Sequence, residues 1–307
     1  IPAETLSHNR EQCLGCGWCN YGCRYDRKTS MLVTFIPWAE AKGALVLDEV
    51  DPVVITYKNG VANGVSFMRH GVPNLIEAAK VVVCAGAIGS TEVLLKSGIN
   101  PNGRVGKGLH LLGGIFVNAL MPHPIHAYDK IGLNCIAHAS KEYLIETFHS
   151  PPGIFSLTIG AWYREHFELM MKYTHMMQAG VMVGSAPTGS ISLDKNKRVV
   201  INFKFSKREL QSLKRGIQTL TGIFLEAGAE LVLPASFKKI SIANHGEMHK
   251  IDQLIQRNDD ITLGSAHPQG GNIMNADPLK GVVNEQFEVY GMKNLYIADT
   301  SVWPTNL

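Results

Sequence analysis

The sequence predicts an α/β domain in two pieces, with a middle domain of longer strands and one long helix inserted between them. Three observations carry this. Val81-Val82-Val83 is a short, wholly apolar strand that runs through Ala85-Gly86-Ala87 into an amphipathic stretch, Ser90–Ser97, with Val93, Leu94 and Leu95 to bury. Strand, small-residue turn and helix form the α/β unit in which ligands sit at the carboxyl end of the strand. From about His110 the character changes to longer strands, Ile115–Met121, Gly180–Gly184, Gly189–Leu193 and Val199–Phe205. The tail then returns to short strands, Phe287–Tyr290 and Asn294–Ala298, with Asp299 placed to cap the residues after it.

Taken in order, residues 1–30 are loop-like and hold four of the six cysteines. Ala44–Leu47 and Val53–Tyr57 read as strands rich in aliphatic residues, as strands on a half-buried surface are. Lys58-Asn59-Gly60 is a turn, since Asn-Gly is the pair that tolerates two successive positive φ angles, and Gly64–Met68 returns from it. Ser206 opens the clearest helix, with Glu209 three residues on to complete a capping box. Leu210, Leu213, Ile217, Leu220 and Phe224 then recur at helical spacing, and Gly228 closes it.

The totals narrow the function. In 307 residues, 45% hydrophobic and 18% charged, there is material for one large or two medium domains and no sign of disorder. A net charge of +3 from 29 basic and 26 acidic residues, spread evenly, argues against a nucleic-acid surface. No apolar run approaches the ~20 residues a transmembrane segment needs. The chain opens at Ile1 without a signal-peptide pattern and closes at Pro304-Thr305-Asn306-Leu307 without a tail. Both ends read as cuts in a longer protein, and a cytoplasmic, reducing location is expected from the cysteine usage.

Four motifs carry chemistry. Cys13, Cys16, Cys19 and Cys23 are spaced as in a bacterial ferredoxin run, with Arg24 where Pro is usual. Such a run suits an iron–sulfur cluster; zinc, and a structural cysteine-rich turn with free thiols or a disulfide, are the other readings. Ser265-Ala266-His267-Pro268-Gln269-Gly270-Gly271 sets a histidine in a glycine-rich loop, where it can accept an alcohol proton, although with 12 histidines a surface-loop role is the plainer reading. The Val81–Ile99 unit allows close backbone approach at Gly86 to a phosphate or adenosine, yet no GxGxxG follows a first strand anywhere in the chain. Leu169–Met177 is rich in methionine, which suits core, a pocket for an apolar substrate or a membrane contact.

In this order the segments resemble the glucose–methanol–choline (GMC) family of flavin oxidoreductases. Gly22–Ser30 is similar to the corresponding segment of cholesterol-oxidase-like and long-chain-alcohol-oxidase-like members. Val82–Ile99 resembles the second family signature, departing at Thr91 and Asn100. Val105–His110 looks like the next conserved stretch, and Ser265–Pro304 like the histidine loop and tail, with Asn275 for Gly and Asn284 for Asp. The resemblance implies a discontinuous, Rossmann-like FAD-binding domain, residues 1–110 and 268–307, and a substrate domain, 111–267, of antiparallel sheet backed by helices; the fold class is α/β plus α+β.

What the resemblance implies for chemistry is oxidation of an alcohol CH–OH by hydride transfer to FAD. His267 matches the family's active-site histidine, and its Asn or His partner would lie beyond Leu307. Val50 matches the position whose backbone meets the adenine, Gly86 the strand end beside the cofactor, and Ala298 and Asp299 the segment along the ribityl and pyrophosphate. No metal ligand is assigned, an iron–sulfur cluster being the minority reading. An apolar alcohol is favoured, with oxygen, a quinone or an electron-transfer partner as acceptor, and the stretch alone is expected to be inactive. The alternatives are an iron–sulfur electron carrier using Cys13, Cys16, Cys19 and Cys23, and a truncated, non-catalytic relative.

Overall fold

The computed structural model describes residues 1–129 and 131–306, so Leu307, the end of the expected tail, lies outside the described residues. The chain divides into two compact units: Val46–Leu112 with Gly184–Lys204 and Ser265–Leu307, and Ile1–Leu45 with Gly113–Val183 and Phe205–Gly264. Two stretches thus cluster differently from the expected boundaries: 1–45 goes with the middle of the chain, and 184–204 with its flanks.

The first unit is built on two sheets and a helix. Val50–Lys58, Val61–Arg69 and Val72–Glu77 form an antiparallel three-stranded sheet. Its first turn is the expected one, with Asn59 at φ 53° and Gly60 at φ 75°, both in the left-handed region that such a two-residue turn demands. The Val81–Val83 strand pairs in parallel with Leu295–Ile297, so segments far apart in sequence close one small sheet. Gly86–Lys96 is the helix after it, beginning four residues earlier than the amphipathic pattern. Ile55 donates its amide to Ser97 Oγ at 2.9 Å, tying the antiparallel sheet to the helix end. Leu94, Val283, Leu295 and Ile297 form the centre of the core and are almost wholly inaccessible. The 107–112 part of the long Lys107–Leu120 strand adds antiparallel partners in Gly189–Leu193 and Pro268–Gly271.

In the second unit, Ala3–Thr5, Cys135–Ala137, Leu144–Phe148 and Met176–Gly184 pair antiparallel in that order. The sheet continues through 113–120 to Leu231–Pro234, also antiparallel. The long helix is Lys207–Glu226, with both bonds of the Ser206–Glu209 capping box formed and Gly228 at φ 90° past its end. Leu210, Leu213, Ile217, Leu220 and Phe224 are all buried, as their spacing requires. Gly216 is where helix meets sheet: a Cβ there would stand 2.3 Å from Val181 Cγ1, so only glycine permits the approach.

Two expected strands do not form as such. Ala44–Leu47 is irregular and finds no paired neighbour, leaving Leu45 81% exposed. Phe287–Tyr290 reduces to isolated bridges, because Phe287 takes φ 66° inside a turn and breaks the extended run. Val199–Phe205 and Ile115–Met121 appear with shifted bounds, as Val199–Asn202 and Lys107–Leu120.

Candidate cofactor and active site

The site is built where the parallel strands end. Past Val83 and Ile297 the chain enters Ala85-Gly86 and Ala298-Asp299, side by side at the carboxyl ends where α/β sheets receive ligands. Gly86 opens the Gly86–Lys96 helix at φ 73°, and a Cβ there would meet nothing within 4 Å. The glycine is therefore required by its backbone angle, and the space in front of it is open to a ligand.

Asp299 locks this junction. Its Oδ2 accepts from the Gly86 amide at 3.0 Å and from Ser90 Oγ at 2.5 Å, and its Oδ1 accepts from the Ser301 amide at 2.8 Å. Ser90 Oγ in turn accepts from the Ala85 amide at 3.0 Å. The carboxylate thus caps a helix it is far from in sequence, at the end where a negative charge is favoured. Ala298 donates its amide to Val83 O at 2.9 Å, in continuation of the parallel ladder. A cofactor lying along this segment would meet the amide of Asp299, not that of Ala298. With a carboxylate already on the helix end, the spot suits hydroxyl groups better than a phosphate.

His267 stands at the other end of the Pro268–Gly271 strand. Gly271 packs against the Gly86–Lys96 helix, where a Cβ would lie 2.8 Å from Thr91 Oγ1. Four residues of strand separate this contact from His267, roughly 13 Å at the usual rise. The loop is clipped by Ser265, whose Oγ accepts from the His267 amide at 3.0 Å and donates to Leu112 O at 2.8 Å. The backbone is held while the residue stays exposed. On the paired strand, against Gly270, His110 is wholly buried, with Nδ1 donating to Gly108 O at 2.9 Å and Nε2 without a partner. Gln269 lies directly opposite in register, and its Oε1 is also buried without a partner. Gly270, at φ 75°, leaves no room for a Cβ against Gly108 O and His110 Nδ1.

Of the residues singled out in the sequence, Gly86, Ala298 and Asp299 are brought together, and the Pro268–Gly271 strand joins His267 to the same helix. Val50 begins the three-stranded sheet of the same unit, opposite Arg69. The residues present suit a hydroxyl-bearing, ribityl-like part of a flavin dinucleotide: an uncluttered glycine strand end, a free Asp299 amide and a helix start already capped.

Cys13, Cys16, Cys19 and Cys23 belong to the other unit and line one small pocket with Arg10, Arg27 and Lys28. Arg10 Nε donates to Cys19 Sγ at 3.0 Å, and the Gly15 and Arg27 amides donate to Cys13 and Cys23 Sγ at 3.4 and 3.3 Å. Backbone N–H groups, that of Tyr25 foremost, hold the Cys23 thiol below its ordinary range. All six cysteines are free, and among the described residues no three His, Cys, Asp or Glu side chains are grouped to hold a metal ion.

Sequence reasoning missed two titrating groups in that unit, His149 and Glu146. Tyr173 Oη donates to Ser150 O at 2.7 Å and so accepts from His149 Nε2 at 2.8 Å, leaving Nδ1 buried without a partner. Burial lowers His149 to about 4 and raises Glu146 to about 7. Neither residue lies in a motif; their environment comes from strands far apart in sequence.

Comparison with known proteins points the same way. Two profiles described as GMC oxidoreductase match, one over residues 1–112 and the other over 185–307. An uncharacterized GMC-type oxidoreductase of Mycobacterium tuberculosis is 25% identical over 99% of this chain and 48% of its own length. A long-chain-alcohol oxidase of Arabidopsis thaliana is 23% identical over 100% of this chain and 46% of its own length. Among solved structures, an FAD-dependent oxidoreductase from Chaetomium thermophilum has a TM-score of 0.61 at 14% identity, covering 92% of this chain and 61% of that one. A formate oxidase of Aspergillus oryzae has a TM-score of 0.61 at 14% identity, covering 82% and 55%. The chain spans about half the length of the curated relatives it matches. With both profiles together covering most of its length and the fold agreeing, the chain belongs to the GMC oxidoreductase family.

Proposed function

We propose that the whole protein of which this chain is part is an FAD-dependent oxidoreductase acting on the CH–OH group of an alcohol. When bound, FAD supplies the hydride acceptor. His267 receives the hydroxyl proton as the hydride leaves, a role suited to an imidazole in a clipped, exposed loop. Gly86 and the Asp299 amide hold the cofactor at the strand ends, Val50 and Ala298 contribute backbone alongside, and Ser265 keeps the His267 backbone in place. An apolar alcohol is the proposed substrate, by analogy with the long-chain-alcohol oxidases among the relatives. Oxygen is the first acceptor to test, then a quinone or a protein partner. The observation that carries the reading is the union of Gly86, Asp299 and the His267 strand on one helix.

The test is the full-length protein's absorption spectrum, followed on adding a long-chain alcohol without oxygen. Flavin bands that bleach support the reading. The His267→Ala enzyme is expected to keep its flavin and lose about 10²–10⁴-fold in turnover. Unchanged turnover, or a folded protein without flavin, refutes it. The 307 residues alone, lacking a GxGxxG, are expected to be inactive. A second reading, an iron–sulfur cluster for electron exit, is favoured only by the four thiols sharing one pocket, and iron and sulfide analysis decides it.

A further inference from the structure

Residues 100–108 and 273–282 form two loops that clasp each other within the first unit. Asn102 Nδ2 donates to Pro278 O at 2.7 Å, and Arg104 donates to Lys280 O from Nε at 3.3 Å and from Nη2 at 3.2 Å. Each loop is also pinned from within. Asn100 Oδ1 accepts from the Val105 amide at 2.9 Å, and Asp277 Oδ1 accepts from the Leu279 amide at 2.9 Å. Gly108, at φ 78°, lets the first loop close on the second, since a Cβ there would stand 2.3 Å from Ile273 Cδ1. Between them lies a cavity of about 200 Å³. The buried Val282 and the half-buried Ile273 give it an apolar inner wall, with Pro187 alongside. Its exposed rim carries three cations, Arg104, Lys107 and Lys280.

The charges say what the cavity fits. Like charges repel, so three cations around one space call for an anion. Lys280 Nζ is paired with Asp277 at 3.3 Å. Donation from the Leu279 amide, with the Lys280 ammonium and the charge of Arg104, holds the Asp277 carboxyl below its ordinary range, so it stays ionised. Arg104 and Lys107 have no ion pair among the described residues. Three cations less one carboxylate leave two positive charges at the cavity. The Arg104 guanidinium is fixed by its two bonds to Lys280 O, and its other N–H groups remain for a ligand. A planar fork held in place beside two ammonium groups is a donor set suited to phosphate. A phosphate monoester carries nearly two negative charges at neutral pH, which matches the rim better than the single charge of a carboxylate. The apolar wall suits a carbon group attached to that phosphate.

We infer that this cavity is a binding site for a phosphate monoester, its phosphate held by Arg104, Lys107 and Lys280 and its carbon group set against Val282 and Ile273. Neither Gly86, Asp299 nor His267 lines the cavity, so the site is separate from the one proposed for the cofactor and the alcohol. The inference does not rest on the proposed oxidation, because binding is read without turnover.

The experiment is calorimetric titration of the full-length protein with phenyl phosphate, inorganic phosphate and acetate, at low and high salt. Both phosphates are expected to bind, phenyl phosphate more tightly, and acetate not measurably. Binding should weaken at high salt, since the cations are exposed. Lys107→Gln is expected to weaken it about tenfold, the scale of one hydrogen bond between charged partners at an exposed site, with the thermal midpoint unchanged. Asp277→Asn is expected to tighten it a few-fold, because it removes the opposing carboxylate and releases Lys280 while Oδ1 still accepts from Leu279. A gain of binding is a result that damage to the fold cannot produce. Absence of phosphate binding overturns the inference, as does binding that both variants leave unchanged. Acetate binding as tightly as phosphate also overturns it, showing only a cationic patch. Phenyl phosphate that added FAD displaces overturns it as well, since the cavity then belongs to the cofactor's own phosphates.

Discussion

Replacing Asp299 tests whether the junction at the strand ends is held as described. Its carboxylate receives two backbone amides and one hydroxyl, from Gly86, Ser301 and Ser90. In Asp299→Ala all three donors lose their acceptor, and Ser90, wholly buried, has no water to turn to. Bonds to a charged acceptor are each worth about 1.5–3 kcal/mol. Asp299 is only half-buried, so water can satisfy part of the loss. About 1 kcal/mol per donor is then the proper scale, roughly 3 kcal/mol in total. Asp299→Asn keeps one acceptor oxygen and should cost about half of that. Set against a usual stability of ~5–15 kcal/mol, the alanine variant is a large perturbation of the unit that carries Gly86. The assay is urea unfolding of the full-length protein, with flavin retention measured on the same samples. Flavin should be lost in the order Asp299→Ala, Asp299→Asn, wild type. A loss of stability below about 0.5 kcal/mol for Asp299→Ala would overturn this account, since the carboxylate would then be a solvated side chain that merely lies near the amides.

Two other expectations concern the second unit. Ser206→Ala should lower stability by about 1 kcal/mol through loss of the capping box, and Leu213→Ala by about 2–5 kcal/mol through the cavity it leaves; urea midpoints that rank the two in the opposite order would contradict the packing. The pH dependence has two opposing parts. Glu146 is raised from 4.5 to about 7, so the folded state holds a proton the unfolded chain has released, and its contribution is lost as pH rises from 4.5 to 7. His149 is lowered from 6.5 to about 4, so its contribution is lost as pH falls from 6.5 to 4. The two partly cancel between pH 4.5 and 6.5, and Glu146→Gln should therefore steepen the acid-side loss while removing the decline toward pH 7; an unaltered stability profile for this variant would discount Glu146.

The features legible in the order of amino acids alone are local. The Asn59-Gly60 turn, the Ser206–Glu209 cap and the apolar face of the long helix depend on residues within a few positions of each other, and each appears as expected. The Val81–Val83 strand and the glycine after it were legible for the same reason, since only a short apolar run followed by small residues builds that turn. Where the signal was an apolar run alone, as at Ala44–Leu47, it misled, because a strand exists only if a neighbour accepts its hydrogen bonds.

Everything else was settled by long-range packing. That Leu295–Ile297 pairs with Val81–Val83 in parallel is a contact between distant segments, and no periodicity encodes it. Asp299 was visible as a cap for the residues just after it, and that bond forms. Its second and stronger engagement, with Gly86 and Ser90, depends on the two strands ending side by side. The same holds for His110 against Gly270, for the buried His149, and for Arg104, Lys107 and Lys280 at one cavity. A periodic pattern shows which residues share a face, but only packing determines which distant residues that face meets and which are left to water.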